Sequence, residues 1–367
     1  MTEPISVSRL AALDDVPAAE WNALAATSAV SSVFQTHEWH SAWWSVYGPG
    51  EELLLLAAHR CGELVGLLPL WIDATRTARF VGHGKSDFVD AIVAVEYDDV
   101  RTSLLREANS LARWRRLELR NLPAASPTVG VLTRLGWRAL EIDATPCPTL
   151  RIAGAPEHFA EVRRKKSLRR HLNHFRKQDG YRVEHLTRAA EVHPHLAAFF
   201  EQHVGRWQGT DSPSLFLRDR DRAFYARLTD VLDATGWLRF TRLSVEDQAI
   251  AFHYGFVHSG VFVWYKPSFD IALAKKSPGE ALLAELFERT AEEECDEFDF
   301  TVGDEAFKSR FANHVRSNLT LVVFANPVEF FVHRTLQHTK QRLKASRNGQ
   351  RVVELVKSLR DRGSRRR

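Results

Sequence analysis

Cysteine is scarce in this 367-residue chain: Cys61, Cys147 and Cys295 are the only three, widely spaced and without a CxxC pair. That pattern excludes a thiolate zinc site and a disulfide framework, and it fits ordinary thiols in a reducing cytoplasm. Long apolar runs are missing too. Leu53–Ala58 falls far short of the roughly 18 residues a membrane span needs. Met1-Thr2-Glu3-Pro4 has no basic segment leading into an apolar one, so no signal peptide is expected. A nucleoside-triphosphate loop is lacking as well: Gly84-Lys85-Ser86 imitates its end, but the first glycine would fall at position 79, which is Arg79. His37 and His40 stand three apart without a third ligand, so no metal is expected. Finally, the body lacks an excess of positive charge. Arg334–Arg367 holds twelve Lys/Arg against two Asp/Glu, a local +10, so the net +4 leaves −6 for the remainder. A specific nucleic-acid partner is therefore not expected.

What is present fits an α/β protein of two domains at about 150 residues each. The 44% hydrophobic content is ordinary for globular chains. Ten Trp and 22 Phe are many, and Trp39, Trp43 and Trp44 cluster, which predicts aromatic-lined packing or a pocket. The expected division is 1–150, 151–326 and a basic helical tail over 327–367. In the first part the patterning predicts a helix over 36–46 and a hairpin of 53–60 and 64–71. Strands 77–81 and 88–95, helix 99–114, strand 116–120, helix 127–135 and strand 137–142 follow. The second part repeats that order with helix 156–178, strand 181–186, helices 189–207 and 219–234, and strands 237–245, 249–256 and 261–265. Helix 279–294 comes next, with Leu282, Leu283, Leu286, Phe287 and Thr290 as its inner stripe. Strand 297–301, helix 305–312 and strand 319–324 close the order. Ile250, Phe252, Tyr254 and Phe256 alternate as one face of a strand.

Two segments carry chemistry. Lys275-Lys276-Ser277-Pro278-Gly279 opens the helix over 279–294, where free N–H groups, the helix dipole and two lysines make an anion site. A Gly there admits a phosphate to the backbone, and the bland alternative is an ordinary capped helix with two solvated lysines. Asp299–Lys308 delivers acids and a lysine through a Gly turn to the C-terminal end of a strand, where open sheets carry ligands. The bland alternative is a charged turn with Asp304 as N-cap.

The stretches IAFHYGF, FVWYKPSFD, KKSPGEALL and EFDFTVGDEAFKSRFA resemble the C-terminal half of the CelD-type, FemAB-related branch of the GNAT superfamily. FQTHEWHSAWWSVYG, LVGLLPLW and GHGKSDFVD resemble its first domain, and RRKKSLRRHLNHFRKQDG and HVGRW its middle. The resemblance implies two GNAT-like domains facing a shared cleft, and a coenzyme A thioester or aminoacyl donor. Lys275–Gly279 then falls where the donor pyrophosphate is held, with one Gly where two are frequent. Phe307-Lys308 matches the phenylalanine–lysine pair at the acyl-transfer centre. Such a centre needs an oxyanion donor, the role for Lys308, and a proton acceptor, for which Asp304, His253 and Tyr265 are candidates. The resemblance implies that Asp87 and Asp90 line the cleft from the first domain, and a role as turn residues is the equal alternative. Arg170, with Arg163, Lys166 and Lys177 on one helix face, and Arg206 are candidates for a phosphorylated acceptor, and the bland reading of that face is solvation.

The function implied is N-acyl transfer from acyl-CoA to an amine, such as an amino sugar or glycan precursor in envelope or exopolysaccharide assembly. The alternatives are an aminoacyl-tRNA-dependent Fem-type transferase and an idle scaffold binding an anionic nucleotide or a partner. In the tail, Val352, Val353, Leu355, Val356 and Leu359 form an apolar stripe on a basic helix. That suits an acidic partner or an anionic membrane surface, and hence a cytoplasmic protein peripheral to the inner membrane face.

Overall fold

In chain order, β1 (Ile5–Leu10), α1 (Ala18–Thr27) and α2 (His37–Tyr47) precede the hairpin β2 (Glu52–Arg60) and β3 (Glu63–Ile72). Then come β4 (Thr77–Phe80), β5 (Ile92–Val93), α3 (Asp98–Ala112), β6 (Arg116–Pro123), α4 (Pro127–Arg134) and β7 (Ala139–Arg151). The second half holds α5 (Pro156–Arg163), α6 (Lys166–Arg176), β8 (Arg182–Leu186), α7 (Ala189–Trp207) and α8 (Asp219–Leu232). It continues with β9 (Leu238–Val245), β10 (Gln248–His258), β11 (Val261–Phe269), α9 (Pro278–Glu292), β12 (Glu297–Asp299), α10 (Ala306–Ser309), β13 (His314–Phe324) and α11 (Pro327–Ala345). This computed structural model describes residues 4–210 and 212–345. The apolar stripe read over 352–359 lies outside the described residues.

The strands form one mixed sheet in the order β1-β2-β3-β4-β6-β13-β7-β12-β11-β10-β9-β8, with β5 beside β3. Among the described residues two strand contacts are parallel: β4 with β6, joined through α3, and β11 with β12, joined through α9. Each half therefore builds antiparallel strands and then a helical crossover to a parallel strand. The closing strands are exchanged. β7, last of the first half, pairs with β12, while β13, last of the second, pairs with β6. The two closers also pair with each other, from His314↔Thr149 to Val323↔Ala139.

The exchange explains where the sequence reading falls short. The final strand begins at His314 and enters the first half's side of the sheet, and the expected strand 137–142 extends to Arg151. A boundary at 150 thus lies inside β7. The helix expected over 156–178 breaks between Arg163 and Lys166 into α5 and α6. Of 88–95 only Ile92–Val93 is a strand. β1 and α1 went unpredicted. The alternating face on β10 holds for Phe252, Tyr254 and Phe256, but a bulge between Ala249 and Ala251 puts Ile250 into the opposite cluster.

Aromatic packing locks the halves together. Trp39 of α2 lies 5.8 Å from Phe256, 5.7 Å from Tyr265 and 5.5 Å from Phe224, ring to ring. Burying each such side chain is worth about 1.5–3 kcal/mol. A buried ionic knot adds to this contact: Lys85 pairs with Asp221 of α8, and the Tyr47 hydroxyl donates to the same carboxylate. On the other face of the second half, the predicted stripe of α9 is buried throughout.

Candidate active site

β11 and β12 run side by side only from Val261↔Glu297 to Val263↔Asp299. Beyond that, β11 continues while its neighbour turns away. The turn is made at Thr301, whose backbone is left-handed (φ 58°), an uncommon state for a β-branched residue. The Asp299 carboxylate accepts the Thr301 N–H at 2.7 Å, and the Thr301 hydroxyl donates across the gap to the Trp264 carbonyl at 3.3 Å. On the other side of β11, a bulge in β10 between Tyr254 and Phe256 shifts the register. Gly255 sits in it because a Cβ would meet the Val263 carbonyl oxygen at 2.3 Å. Diverging strands leave backbone groups without a sheet partner at the carboxyl end of a parallel pair, where ligands bind in open sheets.

A cleft of about 470 Å³ opens there, lined from both halves. The first half contributes Asp87, Arg120 and Asn121, and the second contributes His203, Arg206, Lys266, Thr301 and Lys308. Lys308 sits on α10, set by the turn at Gly303 (φ 134°). A Cβ on Gly303 would lie 2.2 Å from Glu305 Oε2 and 2.9 Å from Lys308 Nζ, so only glycine leaves room for that pair. Lys308 is 3% exposed; its Nζ donates to the Val302 carbonyl at 2.9 Å and pairs with Glu305 at 2.8 Å.

Electrostatics sharpen the arrangement. Burial raises the Asp87 carboxyl above its ordinary range, opposed by Lys266, Lys308, the Thr301 hydroxyl and Arg120. Burial draws the Lys266 ammonium down to about 8; Asp87 opposes this, while Lys85 and Lys308 add to it. The Lys266 Nζ lies 3.5 Å from the centroid of the Tyr265 ring. The His203 imidazole, 2.8 Å from the Ser214 hydroxyl, is held down to about 3 by burial and by Lys266 and Arg206, so it is neutral. Arg206 donates to the Pro267 carbonyl at 2.8 Å and lies 4.4 Å from the Phe269 ring centroid.

A second cavity of about 210 Å³ adjoins the cleft, sharing Arg206, Trp264, Pro267 and Phe307 with it. Its far wall is the start of α9, with Ser277, Gly279 and Leu283. Ser277 caps that helix in a left-handed conformation (φ 57°), and Pro278 offers no N–H. The Gly279 amide is then the first to point out of the helix N-terminus. Glu280 also borders the cavity, its charge drawn aside by Arg310 at 2.8 Å.

Of the residues singled out from the sequence, Lys308, Asp87, Arg206 and Tyr265 meet in the cleft, and Ser277 and Gly279 border the adjoining cavity. Pro278 is buried, and Lys275 and Lys276 are exposed beside these walls rather than in them. Tyr265 is not free to take a proton: its hydroxyl donates to the Lys85 carbonyl at 2.6 Å and accepts from Tyr225, and burial with Asp87 pushes its pKa far up. Asp304 is exposed outside the cleft walls, and its neighbour Glu305 takes the inward place. His253 is wholly buried between the rings of Phe262 and Trp264, at 5.7 and 5.2 Å, and burial holds it down to about 3. Asp90 is a buried anchor for α4, accepting from the Ser126 and Thr128 hydroxyls. Arg170 is exposed on α6 and donates to His171 at 3.2 Å, away from the cleft. His40 donates its Nδ1–H to the Thr36 carbonyl at 2.8 Å, and His37 faces Asp14. Lys266 and His203 were missed. A lysine inside the apolar run of β11 was the available signal for the first, whereas His203 looks like any helical histidine.

Residues 162–309 match the profile of the acetyltransferase (GNAT) domain family. No curated protein matches the chain. Among solved structures, FemX aligns with a TM-score of 0.63 at 11% identity, covering 89% of this chain and 99% of that one. A tandem GNAT protein from the clavulanic acid biosynthesis pathway aligns at 0.53 and 16% identity, covering 88% and 99%. The C-terminal domain of a putative lysylphosphatidylglycerol synthetase from Agrobacterium fabrum aligns at 0.50 and 12%, covering 81% and 94%. The stretch matched by the family profile supplies Lys308, Lys266 and the α9 cavity, and the chain as a whole shares its fold with FemX and with the tandem GNAT protein.

Proposed function

We propose that this protein is an N-acyltransferase that moves an acyl group from an acyl-CoA thioester to an amine, with an amino sugar or glycan precursor as the acceptor class. The observation that carries the reading is the continuous path from the α9 N-terminus, past the diverging end of β11, to a cleft holding Lys308, Lys266 and Asp87. The α9 end suits a donor's pyrophosphate, and the unpaired edge of β11 suits an extended amide chain. In the cleft, the acceptor ammonium must lose a proton before it attacks. Lys266, drawn down to about 8 and so about half neutral at pH 8, is suited to take it, and Asp87 to hold the amine. The amine nitrogen bonds to the thioester carbonyl carbon, Lys308 stabilises the oxyanion, and the C–S bond breaks. As the C–S bond breaks, the surplus proton on the attached nitrogen passes to the departing thiolate, and Lys266 releases the first proton to solvent. Pathway and compartment, envelope or exopolysaccharide assembly in the cytoplasm, follow from the resemblance.

The test is calorimetric titration with coenzyme A and acetyl-CoA, paired with mass spectrometry of co-purified thioesters. Saturable one-site binding is expected. Failure to bind either, alongside transfer from an aminoacyl-tRNA, would give the Fem-type reading instead, which the alignment with FemX favours.

A further inference from the structure

Among the described residues, one face of helix α11 holds it to the body. Glu329 accepts from Arg115 at 2.9 Å and from Arg116, while His333 lies 3.1 Å from Arg116. The rings of Phe330 and His333 pack 6.0 and 5.1 Å from Phe324, and Gln337 donates to the Glu141 carbonyl. The opposite face carries Val328, Phe331, Val332 and Leu336, exposed by 68, 57, 51 and 54%. Their spacing of three, four and eight residues makes a single outward stripe, about 12 Å long at the helical rise.

The charge along α11 is one-sided in sign. Within Pro327–Ala345 the one acid is Glu329, already committed to two arginines, whereas Arg334, Lys340, Arg342 and Lys344 follow it. From Arg334 onward the local charge is +10, against −6 for the rest. A standard protein interface needs about 800 Å² per partner, more than four side chains on a convex helix provide. A lipid surface has no such requirement: short apolar side chains enter the headgroup region, and each nearby basic residue adds attraction to anionic lipid.

We propose that the outward face of α11 docks on an anionic lipid surface, with Phe331 and its apolar neighbours inserted and the basic residues on lipid phosphates. This is independent of the reaction assigned to the cleft. The experiment sediments the full chain with vesicles of phosphatidylcholine alone, or mixed with phosphatidylglycerol, at low and high salt. Salt-sensitive binding to the mixed vesicles only is expected. In Phe331→Ser/Val332→Ser it should weaken about a hundredfold, since each buried apolar side chain contributes about tenfold, with melting temperature and acyl transfer retained. Equal binding to both vesicles, no binding, or an unaffected double variant would overturn the proposal. So would light scattering that shows a dimer which the double variant abolishes, because a second copy would then cover the face.

Discussion

Replacing Lys308 with Met keeps most of the side-chain volume and removes one charge. The wild-type Nζ makes two contacts, to the Val302 carbonyl and to Glu305, and is almost wholly buried. After the change, Glu305 is half-exposed and regains water, so its loss is small. The Val302 carbonyl loses a partner at about 1–3 kcal/mol, a shift of a few degrees in melting temperature for a chain of this size. If the ammonium also stabilises the oxyanion, the barrier rises by about 3–4 kcal/mol, and turnover falls roughly a hundred- to a thousandfold. Glu305→Gln is the control: it breaks the same ion pair but leaves the ammonium and its bond to Val302. Single-turnover acyl transfer on the two variants separates the readings. Lys308→Met should lose at least a hundredfold with near-normal donor affinity, and Glu305→Gln less than tenfold. A Lys308→Met protein within threefold of wild type would refute the oxyanion role and leave an ion pair that merely shapes the turn.

Three further predictions rest on the site and its surroundings. Gly279→Val should cut donor affinity sharply, since a Cβ at Gly279 already lies 3.2 Å from the Phe269 ring and the added methyls fill the mouth of the α9 cavity; calorimetry that shows unchanged coenzyme A binding would remove the pyrophosphate assignment. With Lys266 held down to about 8, kcat/KM should climb as pH rises through 8, and the rise should vanish in Lys266→Met. His253 stays neutral down to about pH 3 when folded, against 6.5 unfolded, so the stability it protects is present above pH 6.5 and is lost as pH falls toward 3. His253→Phe should flatten that acid limb by about 1.4 kcal/mol per pH unit in denaturant titrations at pH 4 to 6.5.

The placement of candidate residues was legible wherever local sequence decides it. Lys308 follows one glycine turn after a strand, and α9 announces itself by periodicity and a Pro-Gly start, so both stand where the sequence puts them. His253 misled because a bulge at Gly255 and a stacked pair of rings are tertiary facts; in the sequence it is one more histidine on a strand. Asp87 and Asp90 look equivalent three residues apart, yet Asp90 is spent on two hydroxyls at α4 and Asp87 faces the cleft. Lys266 was hidden by the expectation that the strand stops at Tyr265, whereas β11 runs to Phe269. The longest miss, the place of β13, is a pairing between residues nearly two hundred apart, for which no short-range pattern exists.

That pairing also dictates when the molecule can become whole. β6 is synthesised early, but one of its two neighbours in the finished sheet is β13, and β7 borders β12 and β13 on its two sides. Until residue 324 has left the ribosome, the early strands carry an open edge of unsatisfied N–H and C=O groups, a hazard that folded sheets keep covered. Closing it costs the entropy of a very long loop before any contact is gained. The nascent chain therefore spends most of its synthesis as an unfinished sheet, and the late strand that seals it also carries the chain out to α11.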